Sequence, residues 1–197
     1  MDRNIGRIIA TLKELGLNEN TLVFFCSDNG APHVAGASNG KLNGFKGSFW
    51  EGGHRVPGIA WCPGRIAAGK STDQTAMIMD FMPTFMELAG AKLPPANRLD
   101  GVSLAALLLN NQPLAPRSLF WCAGSKTAMR NGPWKLLVEK KEIHLFYLNK
   151  DLFERNDLAA QQPERVQSMK AELMRWVAEV EAGEVAGKGQ KSGREEE

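Results

Sequence analysis

The chain has 197 residues, enough for one ordinary domain or for one domain with a small appendage. Hydrophobic residues make up 43% of it and charged residues 23%, the balance of a globular protein, and the net charge is +2. This charge predicts no nucleic-acid partner. No apolar run reaches the roughly 18–20 residues that span a bilayer, and the first residues lack the apolar region of a signal peptide. We therefore expect no transmembrane segment.

The first half of the chain alternates helical and strand patterns. Apolar residues at helical spacing predict an amphipathic helix that starts at Asp2 and ends at Gly16. The run 21–26 is short, apolar and rich in β-formers, which predicts a strand buried on both faces. A helix followed by a buried strand favours an α/β sheet. A further strand is predicted at 58–61, and helices at 80–88, with Asp80 as N-cap, and at 103–109.

Residues 28–58 form an unusually glycine-rich segment. It holds eight glycines and follows directly on the predicted strand at 21–26. Long ordered loops in compact domains are usually functional, and ligands of open α/β sheets bind beyond the ends of strands. The segment is therefore the first place to look for a site.

The pattern changes at about residue 115. Asn131-Gly132, between two apolar runs, is a strong hairpin signal. Apolar residues on one face predict a helix over 163–181. We predict an α/β domain over 1–114, a small antiparallel sheet with one helix over 115–182, and a disordered tail over 183–197. The strand candidates of the small sheet are 119–122, 127–130, 134–138 and 143–148.

Two short motifs in the glycine-rich segment can carry chemistry. Asp28 and Asn29 follow the strand and offer a carboxylate and an amide oxygen, the hard ligands that Ca²⁺ or Mg²⁺ prefers. The same residue types also favour an ordinary turn. Lys46 is flanked by glycines in GFKGSFWEGG, where the backbone can approach a ligand and the ammonium suits a tetrahedral oxyanion. A solvated surface lysine is the alternative.

The order of the motifs resembles the sulfatase family of the alkaline phosphatase-like superfamily. After SDNG and GFKGSFWEGG come RVPG, then the helix that begins with DFMPT, and then DGVSL. The hairpin RNGPWKL and a segment that runs from FYLNKD to ERNDL complete the match. The resemblance covers residues 1 to about 180 in the family's order. It implies the C-terminal portion of a sulfatase: part of an alkaline phosphatase-like α/β sheet with helices, followed by a small antiparallel sheet and a C-terminal helix.

The resemblance implies roles for particular residues. Asp28 and Asn29 match calcium ligands, and Lys46 matches the catalytic lysine that contacts the sulfate group of an aryl or carbohydrate sulfate ester. His33 lies in the metal-proximal loop, where it can reach substrate, although a loop histidine is more often solvated. The residues with an expected structural role are Glu51, Gly52, Gly53, His54 and Arg55.

The nucleophile of the family is missing from these residues. The resemblance implies a formylglycine made from the first residue of C/S-x-P-x-R, and none of Cys26, Cys62 and Cys122 stands in that motif. Cys62 reads CPGR. We therefore expect an absent N-terminal half, which is also the expected partner. We further expect weak Ca²⁺ binding and no activity of the chain alone. The family implies a periplasmic, secreted or lysosomal location.

Two other functions stay open. Phosphate and sulfate are both tetrahedral oxyanions, so a phosphoester or phosphonate hydrolase of the same superfamily is an alternative. The missing nucleophile also allows a non-catalytic remnant or a module that binds a partner.

Overall fold

The computed structural model describes residues 1–92 and 99–191, with side chains up to residue 183. These residues form two compact units, one made of Met1–Asp28 and Val56–Ala115 and the other of Asn29–Arg55 and the chain from Pro116 onward. The glycine-rich segment thus belongs with the C-terminal sheet, although the sequence placed it within the domain 1–114. The helices are α1 (Asp2–Glu14), α2 (Glu51–His54), α3 (Phe81–Leu88), α4 (Ala105–Asn110) and α5 (Pro163–Lys191), and the strands are β1 (Val23–Cys26), β2 (Gly58–Trp61), β3 (Ser118–Ala123), β4 (Lys126–Asn131), β5 (Trp134–Glu139) and β6 (Glu142–Tyr147).

The first unit is built on α1 and a two-stranded sheet. Strands β1 and β2 pair antiparallel, with Val23 opposite Trp61. Gly16, with a φ of 66°, follows α1 as predicted. The prediction that β1 is buried on both faces is wrong, because Phe25 is 37% exposed. Among the described residues β2 is the only strand that pairs with β1, and one neighbour cannot cover the strand completely.

Asp80 links the start of α3 to the segment that precedes α4. Asp80 occupies the predicted N-cap position of α3, which begins at Phe81, but its side chain makes no capping hydrogen bond to that helix. Its carboxylate is fully buried and accepts from the backbone N–H groups of Met77, at 2.7 Å, and Val102, at 2.9 Å. Thr84 in turn accepts from the N–H of Leu104 at 2.8 Å. The predicted helix is therefore present. The carboxylate of Asp80 binds backbone N–H groups on both sides of it, at Met77 and at Val102 in the segment before α4.

The second unit contains a four-stranded antiparallel meander. Strands β3, β4, β5 and β6 neighbour one another in sequence order, and each of the four predicted strands is confirmed. The predicted hairpin is also present: Asn131 pairs with Trp134, and Gly132 adopts a φ of 55°. A meander of short hairpins is the topology that closely spaced strands and turn residues favour.

Helix α5 covers one face of the meander. Met169 and Leu173 on the helix are buried against strand residues that include Met129 and Leu136. The helix was predicted over 163–181, but it continues to Lys191. The helix therefore extends into the range 183–197, whose residues include helix formers such as Glu, Ala, Lys and Gln. Residues 192–197 lie outside the described residues. Neither α5 nor any other described helix is both long and apolar enough to cross a membrane.

Candidate functional site

The glycine-rich segment is ordered around one asparagine. The side chain of Asn39 accepts a hydrogen bond from the N–H of Ala31 at 2.6 Å. Its amide group donates to the carbonyl oxygens of Gly44, at 3.1 Å, and Ala31, at 3.3 Å. A single side chain thus joins the start of the segment to the lysine-containing part. The sequence offered no signal for this role, because asparagine is also a common turn residue.

Three predicted site residues lie on this ordered segment. The N–H of Lys46 donates to the carbonyl oxygen of Ala31 at 3.0 Å, so the lysine is tied to a residue two positions after Asn29. Asn29 is half-buried, whereas Lys46 and His33 are exposed. The ring of His33 stacks on that of Phe45, with centroids 4.5 Å apart. The structure therefore brings the backbones near Asn29 and Lys46 together and leaves the lysine side chain accessible.

Asp28 and Asn29, the predicted metal ligands, lie directly after β1. Asp28 is exposed, and its carboxylate and the amide oxygen of Asn29 are hard donors. Within residues 1–92 and 99–191, no group of three or more His, Cys, Asp and Glu side chains is arranged to hold a metal ion. The donor chemistry fits Ca²⁺, but two donors are only part of the six to eight oxygens that this ion usually takes.

Close backbone contacts explain why glycine occupies positions 30 and 52 of this segment. The N–H of Gly30 donates to the carbonyl oxygen of Gly53 at 2.9 Å, and a Cβ on Gly30 would collide with the carbonyl oxygen of Gly52. A Cβ on Gly52 would lie 2.5 Å from the carbonyl oxygens of both Asn43 and Gly44. Only glycine permits such approach, so these residues allow a compact segment to form.

A buried ionic cluster lies beneath α2. The ammonium of Lys135, on β5, is fully buried and donates to Glu51 Oε1 at 2.8 Å. It also lies 2.7 Å from Glu154 Oε1. Arg55 binds the other oxygen of Glu51 at 2.9 Å, and Nε2 of His54 lies 3.2 Å from the lysine nitrogen. Buried charges of both signs are thereby paired within one site.

Burial and these partners shift the pKa values of the cluster. Burial alone would raise the pKa of Glu51, but the hydrogen bond with His54 and the charge of Lys135 outweigh it and hold that pKa far below its usual range. Burial lowers the pKa of His54, which keeps the ring neutral at neutral pH. Burial raises the pKa of Glu154 despite its contact with Lys135. The cluster therefore holds one carboxylate firmly ionised beside a neutral imidazole.

Aromatic contacts hold α2 and the residue before it against the second face of the meander. The ring of Trp50 lies 5.4 Å from that of Phe146, and the ring of His54 stacks on Trp121 at 4.6 Å. Phe49 and Trp50 also pack on the buried group that contains Leu137. The turn that follows Lys46 is thus fixed by both apolar and ionic contacts.

Sequence reasoning missed the roles of Lys135 and Glu154. Both lie in motifs that carried the family resemblance, RNGPWKL and ERNDL, yet neither received a role there. A usable signal was the position of Lys135 among the apolar residues of the strand WKLLVE, because a buried lysine requires a carboxylate partner. The partners themselves are far away in sequence, because Glu51 precedes Lys135 by 84 residues.

Comparison with known proteins finds similarity to sulfatases. Residues 1–91 match the family model described as Sulfatase. The chain is 41% identical over 129 residues to the mouse (Mus musculus) protein named N-acetylgalactosamine-6-sulfatase, which covers 64% of this chain and 25% of that protein. It is 44% identical over 120 residues to the rat (Rattus norvegicus) steryl-sulfatase, with 56% and 21% covered.

The fold also matches a solved structure. The structure of Ps i-CgsB in complex with k-i-k-neocarrahexaose superposes with a TM-score of 0.80 and 32% identity, and the match covers 89% of this chain and 40% of that one. The mixed architecture is that of an alkaline phosphatase-like fold with a small antiparallel sheet and a C-terminal helix, which confirms the predicted fold class. The chain spans about a quarter of the length of the mouse and rat relatives.

Proposed function

Because residues 1–91 match the Sulfatase family model and the similar proteins are sulfatases, we propose that the chain forms one part of the active site of a sulfuric ester hydrolase. The observation that carries the proposal is the hydrogen bond from Lys46 N–H to Ala31 O, 3.0 Å long. It ties the expected sulfate-binding lysine to the segment that begins with the expected calcium ligand Asn29. An oxyanion site needs such groups held together before the ligand arrives.

Lys46 is the proposed catalytic contact to the sulfate group. Its side chain is exposed, so the ammonium is accessible to a ligand, while its backbone is anchored. A compact ammonium can donate to the sulfuryl oxygens and stabilise the charge that develops on them during transfer. His33, exposed on the same segment, is the proposed second substrate contact, and its ring is held flat against Phe45.

Asp28 and Asn29 are the proposed calcium ligands. When bound, Ca²⁺ would supply positive charge that polarises the sulfate oxygens. The carboxylate of Asp28 and the amide oxygen of Asn29 would hold the ion from the end of β1. With two donors from this chain, we expect a dissociation constant on the order of 10⁻³ M or weaker.

The substrate class is proposed as a sulfate ester of a sugar or a hydrophobic alcohol. The relatives named above are a sulfatase of a sulfated sugar and a steryl-sulfatase, so a sulfate ester is what their names share. We propose that the 197-residue chain has no turnover alone, because no cysteine stands in a C/S-x-P-x-R motif. The nucleophile would then come from the part of the relatives that this chain does not span.

Binding to the 197-residue chain tests the proposed residues. Inorganic sulfate is titrated into ¹⁵N-labelled protein, and Lys46→Ala is compared with Lys41→Ala, which removes another exposed lysine of the same segment. We expect Lys46→Ala to weaken sulfate binding at least about tenfold, a loss of about 1.4 kcal/mol, and Lys41→Ala to have little effect. An equal loss of sulfate affinity in both variants would show that sulfate responds only to the net positive charge of the segment and not to Lys46 in particular. Inorganic phosphate is titrated in parallel, and a clear preference for it would favour the phosphoester alternative.

Two further measurements complete the test. Ca²⁺ is titrated into the chain and into Asp28→Ala, and the variant should lose the signal that the unchanged chain gives. Hydrolysis of an aryl sulfate by the 197-residue chain should not exceed the background rate. Turnover that persists after repeated purification would show that the nucleophile is not required from elsewhere.

A further inference from the structure

Three distant segments meet at the ammonium of Lys135. The side chain is fully buried on β5, with Glu51 Oε1 at 2.8 Å and Glu154 Oε1 at 2.7 Å. Both carboxylates are themselves almost inaccessible, with side-chain exposures of 1% and 0%. In such a site the charges interact strongly, since little water screens them. The ion pairs with Lys135 therefore fix the positions of the Glu51 and Glu154 carboxylates.

Glu154 binds the backbone of Glu51 as well as the charged side chain of Lys135. Its second oxygen, Oε2, accepts a hydrogen bond from the N–H of Glu51 at 2.7 Å. The first residue of α2 is thus bound through its backbone by Glu154 and through its carboxylate by Lys135. A charge-assisted bond of this length is among the stronger hydrogen bonds in proteins. The start of α2 has little freedom to move as long as both partners are present.

The backbone of Glu154 indicates that its carboxylate is needed. The residue adopts a φ of 54°, in the left-handed region where a residue other than glycine costs roughly 1–2 kcal/mol. Glycine would avoid that cost but would leave Lys135 without one of its partners. Buried ion pairs are often no more stabilising than apolar residues of the same volume. The strained backbone and the burial of Glu154 together indicate that its carboxylate positions Glu51 and Lys135, and does not only add to stability.

Separate backbone hydrogen bonds hold the turn that carries Lys46, and one of them comes from α2. Gly52 N–H donates to Asn43 O at 2.6 Å, and Ser48 N–H donates to Phe45 O at 2.9 Å. Lys46 lies between these points and is itself bound to Ala31 O. Fixing the start of α2 therefore fixes both ends of the turn that carries Lys46.

We propose that Lys135 and Glu154 are positioning residues that hold the backbone of Glu51, and through it the turn 43–53, so that Lys46 is presented to an oxyanion. Neither residue touches the ligand. The inference rests on the proposed function for the role of Lys46, whereas the order of the turn can be measured without any ligand.

The test compares three variants of the 197-residue chain. Lys135→Met removes the buried cation, and Glu154→Gln is the conservative change that retains an acceptor for the Glu51 N–H. Lys126→Met is the matched control, because Lys126 lies on the neighbouring strand β4, is half exposed, and has its nearest carboxylate, Glu139, only at 4.0 Å. Amide hydrogen exchange is followed in the turn 43–53 and in strands β4 and β5, and inorganic sulfate is titrated into each protein.

We expect exchange in the turn to rise at least about tenfold in Lys135→Met, by more than in β4 and β5, and to rise less in Glu154→Gln. Sulfate affinity should fall in the same order. Uniform exchange increases across the sheet would mean that the cluster only stabilises the fold, which overturns the proposal. If Lys135→Met does not fold, the Glu154→Gln comparison decides, since unchanged exchange in the turn of that variant also overturns it.

The outcome separates this inference from the function on which it rests. If the unchanged chain binds no sulfate but the turn loosens in Lys135→Met, the proposed role of Lys46 fails and the positioning of the turn stands. If sulfate binds and depends on Lys46, but is unaffected in both cluster variants, the positioning role fails and the function stands.

Discussion

His54 links the stability of the second unit to pH. Its folded-state pKa is lowered, chiefly by burial, so the folded chain keeps the ring neutral where the unfolded chain takes up a proton. The associated stability is present above the ordinary value of 6.5 and is lost as pH falls below it toward the folded-state value. The free energy of unfolding should decline by at most about 1.4 kcal/mol per pH unit in that window. Urea unfolding at several pH values between 7.5 and 5 measures the decline.

A comparison of variants assigns the decline to His54. In His54→Gln no group titrates at this position, so the difference in unfolding free energy between variant and unchanged chain should shrink as pH falls. His33→Gln is the control, because His33 is exposed and lies outside the buried cluster. If the unchanged chain and His54→Gln show parallel pH profiles, the neutral, buried state of His54 is incorrect.

The residue scale also shows what a sequence can reveal about a site. Lys46 stood out because glycines flank it, and Asp28 with Asn29 stood out as a pair of hard donors at a strand end. Lys135 did not, since its meaning depends on carboxylates that approach only in the folded chain, one of them on the strained backbone of Glu154. Residue type predicts what a group can do, whereas a buried contact between distant segments is a property of the fold.

At the scale of elements, the turn that carries Lys46 should tolerate no added side chain at Gly52. A Cβ there would lie 2.5 Å from the carbonyl oxygens of Asn43 and Gly44, and backbone atoms cannot yield as a flexible side chain can. We expect Gly52→Ala to lower the free energy of unfolding of the second unit by roughly 1–3 kcal/mol. Tryptophan fluorescence during urea unfolding measures this change, because Trp50 and Trp121 lie in the second unit.

Gly6→Ala gives the comparison of opposite sign. Gly6 lies inside α1, and a Cβ there would meet nothing within 4 Å. Alanine in a helix interior is favoured over glycine by roughly 0.5–1 kcal/mol, so helix content or melting temperature should rise slightly. Loss of stability in both variants would show that packing around Gly52 is not the cause.

The elements were predictable where local pattern decides them. The four strands of the meander and the Asn131-Gly132 turn follow from short runs of apolar and β-forming residues and from turn chemistry, which act over a few residues. The association of Asn29–Arg55 with the meander could not be predicted from the sequence. It depends on contacts such as that of Glu51 N–H with Glu154, two residues that are 103 positions apart. The burial of β1 was overestimated for a related reason: an apolar strand is covered only if neighbouring elements are present to cover it.

At the scale of the whole molecule, the first unit leaves apolar side chains in contact with water. Ile59 is 59% exposed and lies opposite Phe25, which is 37% exposed, in the β1–β2 pair. Both line a groove of about 470 Å³ whose walls include Ile5, Ile9 and Trp61. Contiguous exposed apolar surface of this kind binds apolar probes and promotes association.

We expect the folded chain to bind Nile red in this groove, a probe chosen because it is uncharged and will not compete for Lys46. Ile59→Thr retains a β-branched side chain for the strand but removes apolar surface from the groove, so probe fluorescence should fall clearly while unfolding free energy changes by about 0.5 kcal/mol or less. Ile78→Thr is the matched control, since Ile78 is 52% exposed and is not among the groove residues. An equal fall in both variants would place the probe elsewhere on the surface. A fall confined to Ile59→Thr would show that the probe binds the exposed apolar face of the β1–β2 pair. The apolar run at 21–26 predicted that β1 is fully buried, and this face is where that burial is incomplete.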